Sequence, residues 1–183
     1  MLSKTQKLTY TAMLLAIAMI SMIVKGGGSL VVIFVTGAVV NACIIIASHL
    51  CGLSYGIALS ILTPIAAYFI SPNPVHQTLP IVVICIMAGN AILALCVSLI
   101  SQKGNAKIML PASMAAGSIL KAVFMGVTIS LIILPNLIPV KLPDKVPAIP
   151  LLQYTFSVVQ LFAALVGSVY AFTVLKVKDR FLK

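Results

Sequence analysis

Six apolar runs limit what this chain can fold into more than any other feature. Each run has 17 to 25 residues, the length that an α-helix needs to cross the hydrocarbon core of a bilayer. The predicted spans are approximately residues 8–24, 30–48, 53–70, 79–100, 112–134 and 151–175. The runs are continuously apolar and do not alternate in polarity, which excludes a porin-like barrel. The sequence therefore predicts an all-α, polytopic membrane protein with six transmembrane helices.

The composition supports one membrane domain over the whole chain. Hydrophobic residues make up 62% of the sequence and charged residues only 8%, which is more apolar surface than a soluble domain can bury. No polar segment is long enough to form a separate soluble domain, so residues 1–183 are predicted to form a single domain. A signal peptide is the alternative for the first run, but Lys25 followed by three glycines is a poor cleavage region.

The distribution of basic residues predicts the orientation, because Lys and Arg are enriched in cytoplasmic loops. The basic residues on the side of both termini are Lys4, Lys7, Lys103, Lys107, Lys176, Lys178, Arg180 and Lys183. Those on the other side are Lys25, Lys141 and Lys145. We therefore expect a multi-pass protein of the plasma membrane with both termini in the cytoplasm. The net charge of +10 is then a topology signal, and no nucleic-acid partner is expected.

The scarcity of acidic residues excludes several kinds of chemistry. Asp144 and Asp179 are the only two, so paired-carboxylate catalysis and acidic metal sites have almost nothing to be built from. The four cysteines show no metal-ligand spacing, and the chain has no Walker A, HExxH or GxSxG motif. We expect neither an enzyme nor a bound cofactor or metal. Energy for uphill transport would have to come from an ion gradient or from a partner.

Lys121 is the one charged residue of the fifth apolar run, and it lies near the middle of that run. An ammonium group at that depth costs roughly 3 kcal/mol on insertion scales. The lysine stem is too short to bring the charge to either interface. We therefore expect Lys121 to face a cavity, a partner or a ligand.

Polar residues of four other spans are predicted to lie near the depth of Lys121. Asn41, Asn90, Lys121 and Gln160 fall about 14–20 Å from the outer ends of their spans, and Thr63 falls about 10 Å from its end. Because buried polar groups need partners, we expect these residues to converge on a pocket that opens to the outside and has Lys121 at its floor. An internal hydrogen-bond network that only fixes helix packing is the alternative.

The sixth span adds further candidates for this pocket. Gln153, Ser157 and Gln160 follow a step of three or four residues, which places them on one face of a regular helix. Tyr154, Phe156 and Tyr170 could stack on a ring of the ligand. A cationic floor with amides above it suits a small molecule that carries an acidic group and a hydrogen-bonding ring. His76, in the loop before the fourth span, is a weaker candidate for a ligand or lid role.

Three segments give the chain a resemblance to a known family. They are LTYTAMLLAIAMI in the first span, PIVVICIMAGNAILAL around Asn90, and SVVQLFAALVGSVYA around Gln160. With the small size, six spans and basic balance, these segments resemble the S components of energy-coupling factor (ECF) transporters, the vitamin importers of bacteria. The resemblance covers nearly the whole chain and implies an ECF S-component-like bundle.

The resemblance implies a role and a set of partners. An S component captures a small water-soluble vitamin or related micronutrient from outside. It delivers the vitamin with a transmembrane coupling subunit and two ATP-binding-cassette ATPases, toppling in the membrane as it does so. The alanine stripe of the first span would face the coupling subunit, here Ala12 and Ala16. The first outer loop, here Lys25, Gly26, Gly27, Gly28 and Ser29, would cap the pocket. Substrate contacts would come from that loop and from Asn90, Lys121, Gln153, Tyr154 and Gln160.

The substrate and two rival functions stay open at this point. Lys121 favours an acidic vitamin such as folate, pantothenate, nicotinate or biotin, and a queuosine precursor or cobalamin also remains open. One rival is a stand-alone small-molecule permease or channel, which would work without ATPases. The other is a structural or assembly membrane protein without a ligand, which would tolerate replacement of Lys121 by leucine.

Overall fold

The computed structural model describes residues 2–23, 30–70, 73–101 and 106–181, and this part of the chain is helical apart from short turns. The α-helices are α1 (Lys4–Ile23), α2 (Leu30–Leu50), α3 (Leu53–Ile70), α4 (Pro74–Thr78), α5 (Pro80–Ile100), α6 (Ala106–Met125), α7 (Leu134–Lys141), α8 (Ile149–Tyr154) and α9 (Gln160–Phe181). Two π-helical segments (Gly126–Ile133 and Thr155–Val159) and one 3-10 helix (Pro143–Ala148) complete the series.

Six helical stretches of the described chain are long and apolar enough to cross a membrane, which confirms the predicted all-α architecture. The first four are α1, α2, α3 and α5. The last two are longer than the apolar runs of the sequence, because they extend over Ile108–Lys141 and Pro143–Lys178. Large apolar side chains such as Phe69, Val31 and Leu131 are exposed around the bundle, as expected for a surface that lipid covers.

Residues 135–150, between the fifth and sixth predicted spans, were expected to lie outside the spanning helices. The structure makes them mostly helical, although they contain five prolines. Pro143 begins a short helix, where proline's missing N–H would have no helical partner and its fixed φ suits the helix. Pro135 lies instead within one helical stretch that continues from Ile108 to Lys141. The short helices of this segment lie together at one end of the bundle.

Helix α2 is the centre of the bundle. It packs against α1, α3, α5 and α9, and residues 41–48 are all buried. Helices α5 and α6 pack against each other and complete the circle between α3 and α9. Gly52, with a φ of 104°, makes the turn from α2 into α3, a backbone conformation that glycine adopts without strain.

Two apolar clusters occupy opposite ends of the bundle. The end with both chain termini has a cluster that includes Ile45, Val97 and Leu175. The other end, called the α4 end here, carries α4, α7 and α8, and its cluster includes Val82, Ile129 and Phe156. Asn41, Asn90 and Lys121 lie between the two clusters along α2, α5 and α6.

Gly167 allows the closest approach of α9 to α2. A Cβ atom at this position would lie 2.5 Å from the main-chain oxygen of Ala38 and 2.8 Å from the Cβ of Asn41. Ala164 and Ala171, one turn away on either side, are completely buried. The sixth span therefore packs closely against α2 through small residues, directly beside Asn41.

We expect Gly167→Ala to destabilise the protein by about 1–3 kcal/mol, because the added methyl group has to push two backbones apart. Gly126→Ala is the matched control, since a Cβ there would meet the Cβ of Ser157 at an ordinary 3.5 Å. The measurement is the apparent melting temperature of each variant in detergent. Equal melting temperatures for the two variants would contradict the close packing of α2 and α9.

Candidate functional site

A cavity of about 300 Å³ opens among the helices at the α4 end of the bundle. The polar residues that were expected to converge do so: Asn41, Thr63, Asn90, Lys121 and Gln160 all line it, each from a different one of the six long apolar stretches. The remaining wall is largely apolar and includes Ile33, Ile86 and Leu152. A mostly apolar cavity with a few converging polar groups is typical of small-molecule sites.

Lys121 forms the floor of this cavity with two asparagines. Its Nζ donates hydrogen bonds to Oδ1 of Asn41 at 2.5 Å and to Oδ1 of Asn90 at 2.7 Å. All three residues are buried, with exposed fractions of 3%, 1% and 2% for Lys121, Asn41 and Asn90. The arrangement ties α2, α5 and α6 together at one depth.

The floor keeps donor capacity that the described residues do not use. An ammonium group has three N–H donors, and the two amide oxygens accept two of them. Among the buried side-chain nitrogens and oxygens of the described chain, Nδ2 of Asn41 alone has no hydrogen-bond partner. No acidic side chain in the described chain lines the cavity or pairs with Lys121. The floor is therefore cationic and rich in donors.

Other buried polar groups nearby have hydrogen-bond partners within the protein. The hydroxyl of Thr63 donates to the main-chain oxygen of Leu59 at 2.8 Å. The hydroxyl of Ser118, one turn before Lys121, donates to the main-chain oxygen of Met114 at 2.8 Å and lies 3.2 Å from the hydroxyl oxygen of Ser168 on α9. Such bonds to the preceding turn leave little for a ligand to complete. This contrast separates the Lys121 floor from ordinary buried polar residues.

Gln160 and the mouth of the cavity supply further polar groups. Gln160 lines the cavity, and its amide makes no side-chain hydrogen bond to another described residue. Asn73 caps α4 by accepting a hydrogen bond from the main-chain nitrogen of Val75, which places His76 against the cavity. The rings of His76 and Phe156 lie 6.1 Å apart between centroids. Short helix α4 thus borders the cavity where it approaches the surface.

Three residues that were predicted to contact substrate lie apart from the described cavity lining. Gln153 pairs with Ser130, its Nε2 donating to the main-chain oxygen of Ser130 at 2.8 Å while the Ser130 hydroxyl donates back to the main-chain oxygen of Gln153 at 3.1 Å. Tyr154 is half exposed, and the hydroxyl of Ser157 donates to the main-chain oxygen of Gln153. Their contact with substrate stays a prediction.

The π-helical segment Thr155–Val159 explains this placement. A π turn is closed by an i→i+5 hydrogen bond, so it turns more slowly than an α-helix and shifts the residues before it relative to those after it. Gln153 and Gln160 therefore do not share the face that regular helical spacing predicts. Thr155 and Phe156 line the cavity instead. Phe156 was one of the three rings predicted to stack on a ligand, whereas Thr155 was not predicted.

The structure describes the residues that were predicted to bind a partner, but it does not describe those that were predicted to cap the site. Lys25, Gly26, Gly27 and Gly28 lie outside the described residues. Ala12 and Ala16 are exposed on α1, whereas Ala18 is completely buried against the bundle. The exposed alanine pair is available to a partner, and the identity of that partner stays a prediction.

We expect Gln153→Ala to lower the stability of the protein by about 1 kcal/mol, because it removes the hydrogen bond between α8 and the π-helical segment that contains Ser130. Gln160→Ala is the matched control, since it removes the same side chain without breaking a hydrogen bond to any described residue. Melting temperatures in detergent compare the two. A loss for Gln160→Ala as large as that for Gln153→Ala would argue against the Ser130 contact.

The comparisons with known proteins do not place the chain in a family. No protein-family model, no curated protein and no solved structure matches it. The function is therefore assigned from the residues of the cavity and from the resemblance of the three sequence segments.

Proposed function

We propose that this protein is the substrate-binding membrane subunit of an ECF-type importer. It captures a small, water-soluble vitamin or related micronutrient with an acidic group and delivers it with a coupling subunit and two ATP-binding-cassette ATPases. The plasma membrane, with both termini in the cytoplasm, is its location, so the α4 end faces outward. The resemblance of the three sequence segments supports the proposed family, and the cavity supports ligand binding.

The observation that carries the proposal is the burial of Lys121 with two amide oxygens and no acidic partner among the described residues. A buried cation that has no opposite charge is strongly destabilising, even when amide oxygens hold it. A protein that needed only packing would be more stable with an apolar residue at this position. A ligand with an acidic group supplies the missing charge, and it lies in a cavity of ligand size.

The cavity opens toward the side from which an importer receives its substrate. Met22 and Leu30 flank the first connection between spans, and His76 and Leu151 lie at the other outer connections; all four line the cavity. With the termini in the cytoplasm, these residues lie at the outer surface. The exposed pair Ala12 and Ala16 gives α1 a flat face that a second membrane helix can approach closely.

We expect Lys121→Ala to abolish high-affinity ligand binding and leave the protein folded. The reason is that the charge partner of the ligand is lost while a destabilising buried cation is removed. Small molecules released by denaturing purified wild-type and variant protein are compared by mass spectrometry, and the melting temperature reports folding. Ser118→Ala, a buried residue one turn away on α6, is the control and is expected to retain the ligand.

A ligand that remains with Lys121→Ala at the wild-type amount would remove Lys121 from the binding site. The alternative, a structural or assembly protein without a ligand, predicts different results for the wild-type protein and for Lys121→Ala. It requires that the wild-type protein release no specific molecule and that Lys121→Ala retain full function in cells.

We expect a coupling membrane subunit and two ATPases to co-purify with a tagged copy extracted gently from its own host. Ala12→Trp and Ala16→Trp should lose these partners and keep the ligand, because a bulky ring prevents close helix approach. Ala115→Trp is the matched control on an exposed position of α6 and should keep both. The readout is mass spectrometry of the purified complex.

Two outcomes would oppose the proposal, one from this purification and one from an uptake experiment with vesicles. Partners that are retained by Ala12→Trp and Ala16→Trp would separate the alanine pair from the coupling interface. Uptake of the ligand into vesicles that contain this chain alone, driven without ATP, would favour the stand-alone permease.

A further inference from the structure

We propose that the cavity floor is a recognition site for a single carboxylate, and that the ligand is a small monoanionic acid that binds with its acid group against Lys121. This inference rests on the proposed function only in that the cavity holds the captured molecule. It narrows the ligand from any acidic micronutrient to a class with one negative charge and limited size.

Two donors of the floor have no acceptor among the described residues, and the two oxygens of a carboxylate would satisfy both. One is the third N–H of the Lys121 ammonium group, and the other is Nδ2 of Asn41, which no described residue accepts. Both groups belong to residues that are more than nine-tenths buried and that line the cavity. The amide oxygen of Asn41 thus accepts a hydrogen bond from Lys121, and its amide nitrogen would donate one to the ligand.

The charge of the site matches one anionic group. Lys121 is the only lysine or arginine among the described cavity residues, which also include no aspartate or glutamate. With His76 neutral, one carboxylate neutralises the site. A second negative charge held at the floor, such as that of a phosphate dianion, would have no cationic partner among the described cavity residues, which is strongly unfavourable in a buried place.

The cavity also limits the size and the direction of the ligand. A volume of about 300 Å³ is at the lower end of the range for small-molecule pockets. With the acid at the floor, the rest of the molecule would extend toward the α4 end, where Gln160, Thr155 and Phe156 line the cavity. The Gln160 amide is then placed to hydrogen-bond a polar group in the middle of the ligand, and Phe156 covers its apolar part.

The first experiment uses pairs of compounds that differ in the acid group. Purified protein, emptied of ligand, is titrated with nicotinate and nicotinamide, with pantothenate and pantothenol, and with biotin and its primary amide. Benzoate serves as a minimal acid and folate as a larger dicarboxylate. Calorimetry and thermal shift measure binding at millimolar and lower concentrations.

We expect at least one monocarboxylate to bind, and to bind about tenfold or more tightly than its neutral partner, because a charge-assisted hydrogen bond is lost in the neutral compound. Folate is expected to bind more weakly than that acid. Equal affinity within the pair, stronger binding of folate, or failure of every acid to bind overturns the proposal.

The second experiment places the negative charge in the protein itself. Asn41→Asp has nearly the same shape as asparagine, and its carboxylate would lie against Nζ of Lys121 in place of the amide oxygen. We expect this variant to be at least as stable as the wild type without ligand and to lose acid binding by tenfold or more. Asn90→Asp is a second variant that adds the charge but keeps Nδ2 of Asn41.

Ser118→Ala is the control for both variants and should bind the acid as the wild type does. The proposal of a carboxylate site would be overturned if Asn41→Asp and Asn90→Asp were stable and still bound the acid with wild-type affinity. These measurements use the purified chain without ATPases. They therefore report on the ligand class separately from the co-purification and uptake experiments, which report on the importer.

Discussion

The hydrogen bonds from Lys121 to Asn41 and Asn90 are the interaction on which the middle of this protein depends. They require α2, α5 and α6 to come within side-chain reach at one depth, where water does not compensate for a misplaced group. The packing below the site makes that possible. Gly167 lets α9 approach α2 directly behind Asn41, so the backbone that carries the asparagine is held between α9 on one side and the lysine on the other.

Two amide oxygens hold the ammonium group in place, but they do not neutralise it. This distinction separates a structural network from a binding site. A network that existed only for packing would use up its donors, as the hydroxyls of Ser118 and Thr63 do within their own helices. The floor instead leaves one N–H of Lys121 and the nitrogen of Asn41 without acceptors among the described residues. Preorganised donors that are already desolvated favour a ligand able to accept from both.

Much of this arrangement could be predicted from the sequence, because membrane helices obey simple rules. Long apolar runs form helices wherever lipid offers the backbone no partner, and this rule alone predicted the six stretches. Depth counting along those runs then brought Asn41, Asn90 and Lys121 together. The proline-rich segment did not follow its sequence signal. Pro143 begins a helix, which suits proline, but Pro135 and Pro139 lie within a helical stretch that continues from Ile108 to Lys141, and the sequence alone did not predict this.

The sixth span shows why its site-facing residues were harder to predict. Gln153, Ser157 and Gln160 were predicted to share one face from the period of a regular α-helix. The π-helical segment Thr155–Val159 does not have that period. The amino-acid composition of a segment does not predict a π turn. Such a turn rotates the residues before it about the helix axis, relative to the residues after it. That rotation joins Gln153 to Ser130 and turns Thr155 and Phe156 into the cavity. A second π-helical segment lies opposite, at Gly126–Ile133, directly after the helix that carries Lys121. It packs against Thr155–Val159, but none of its described residues lines the cavity. Of the two irregular segments, Thr155–Val159 is the one that turns an aromatic side chain, Phe156, into the cavity wall.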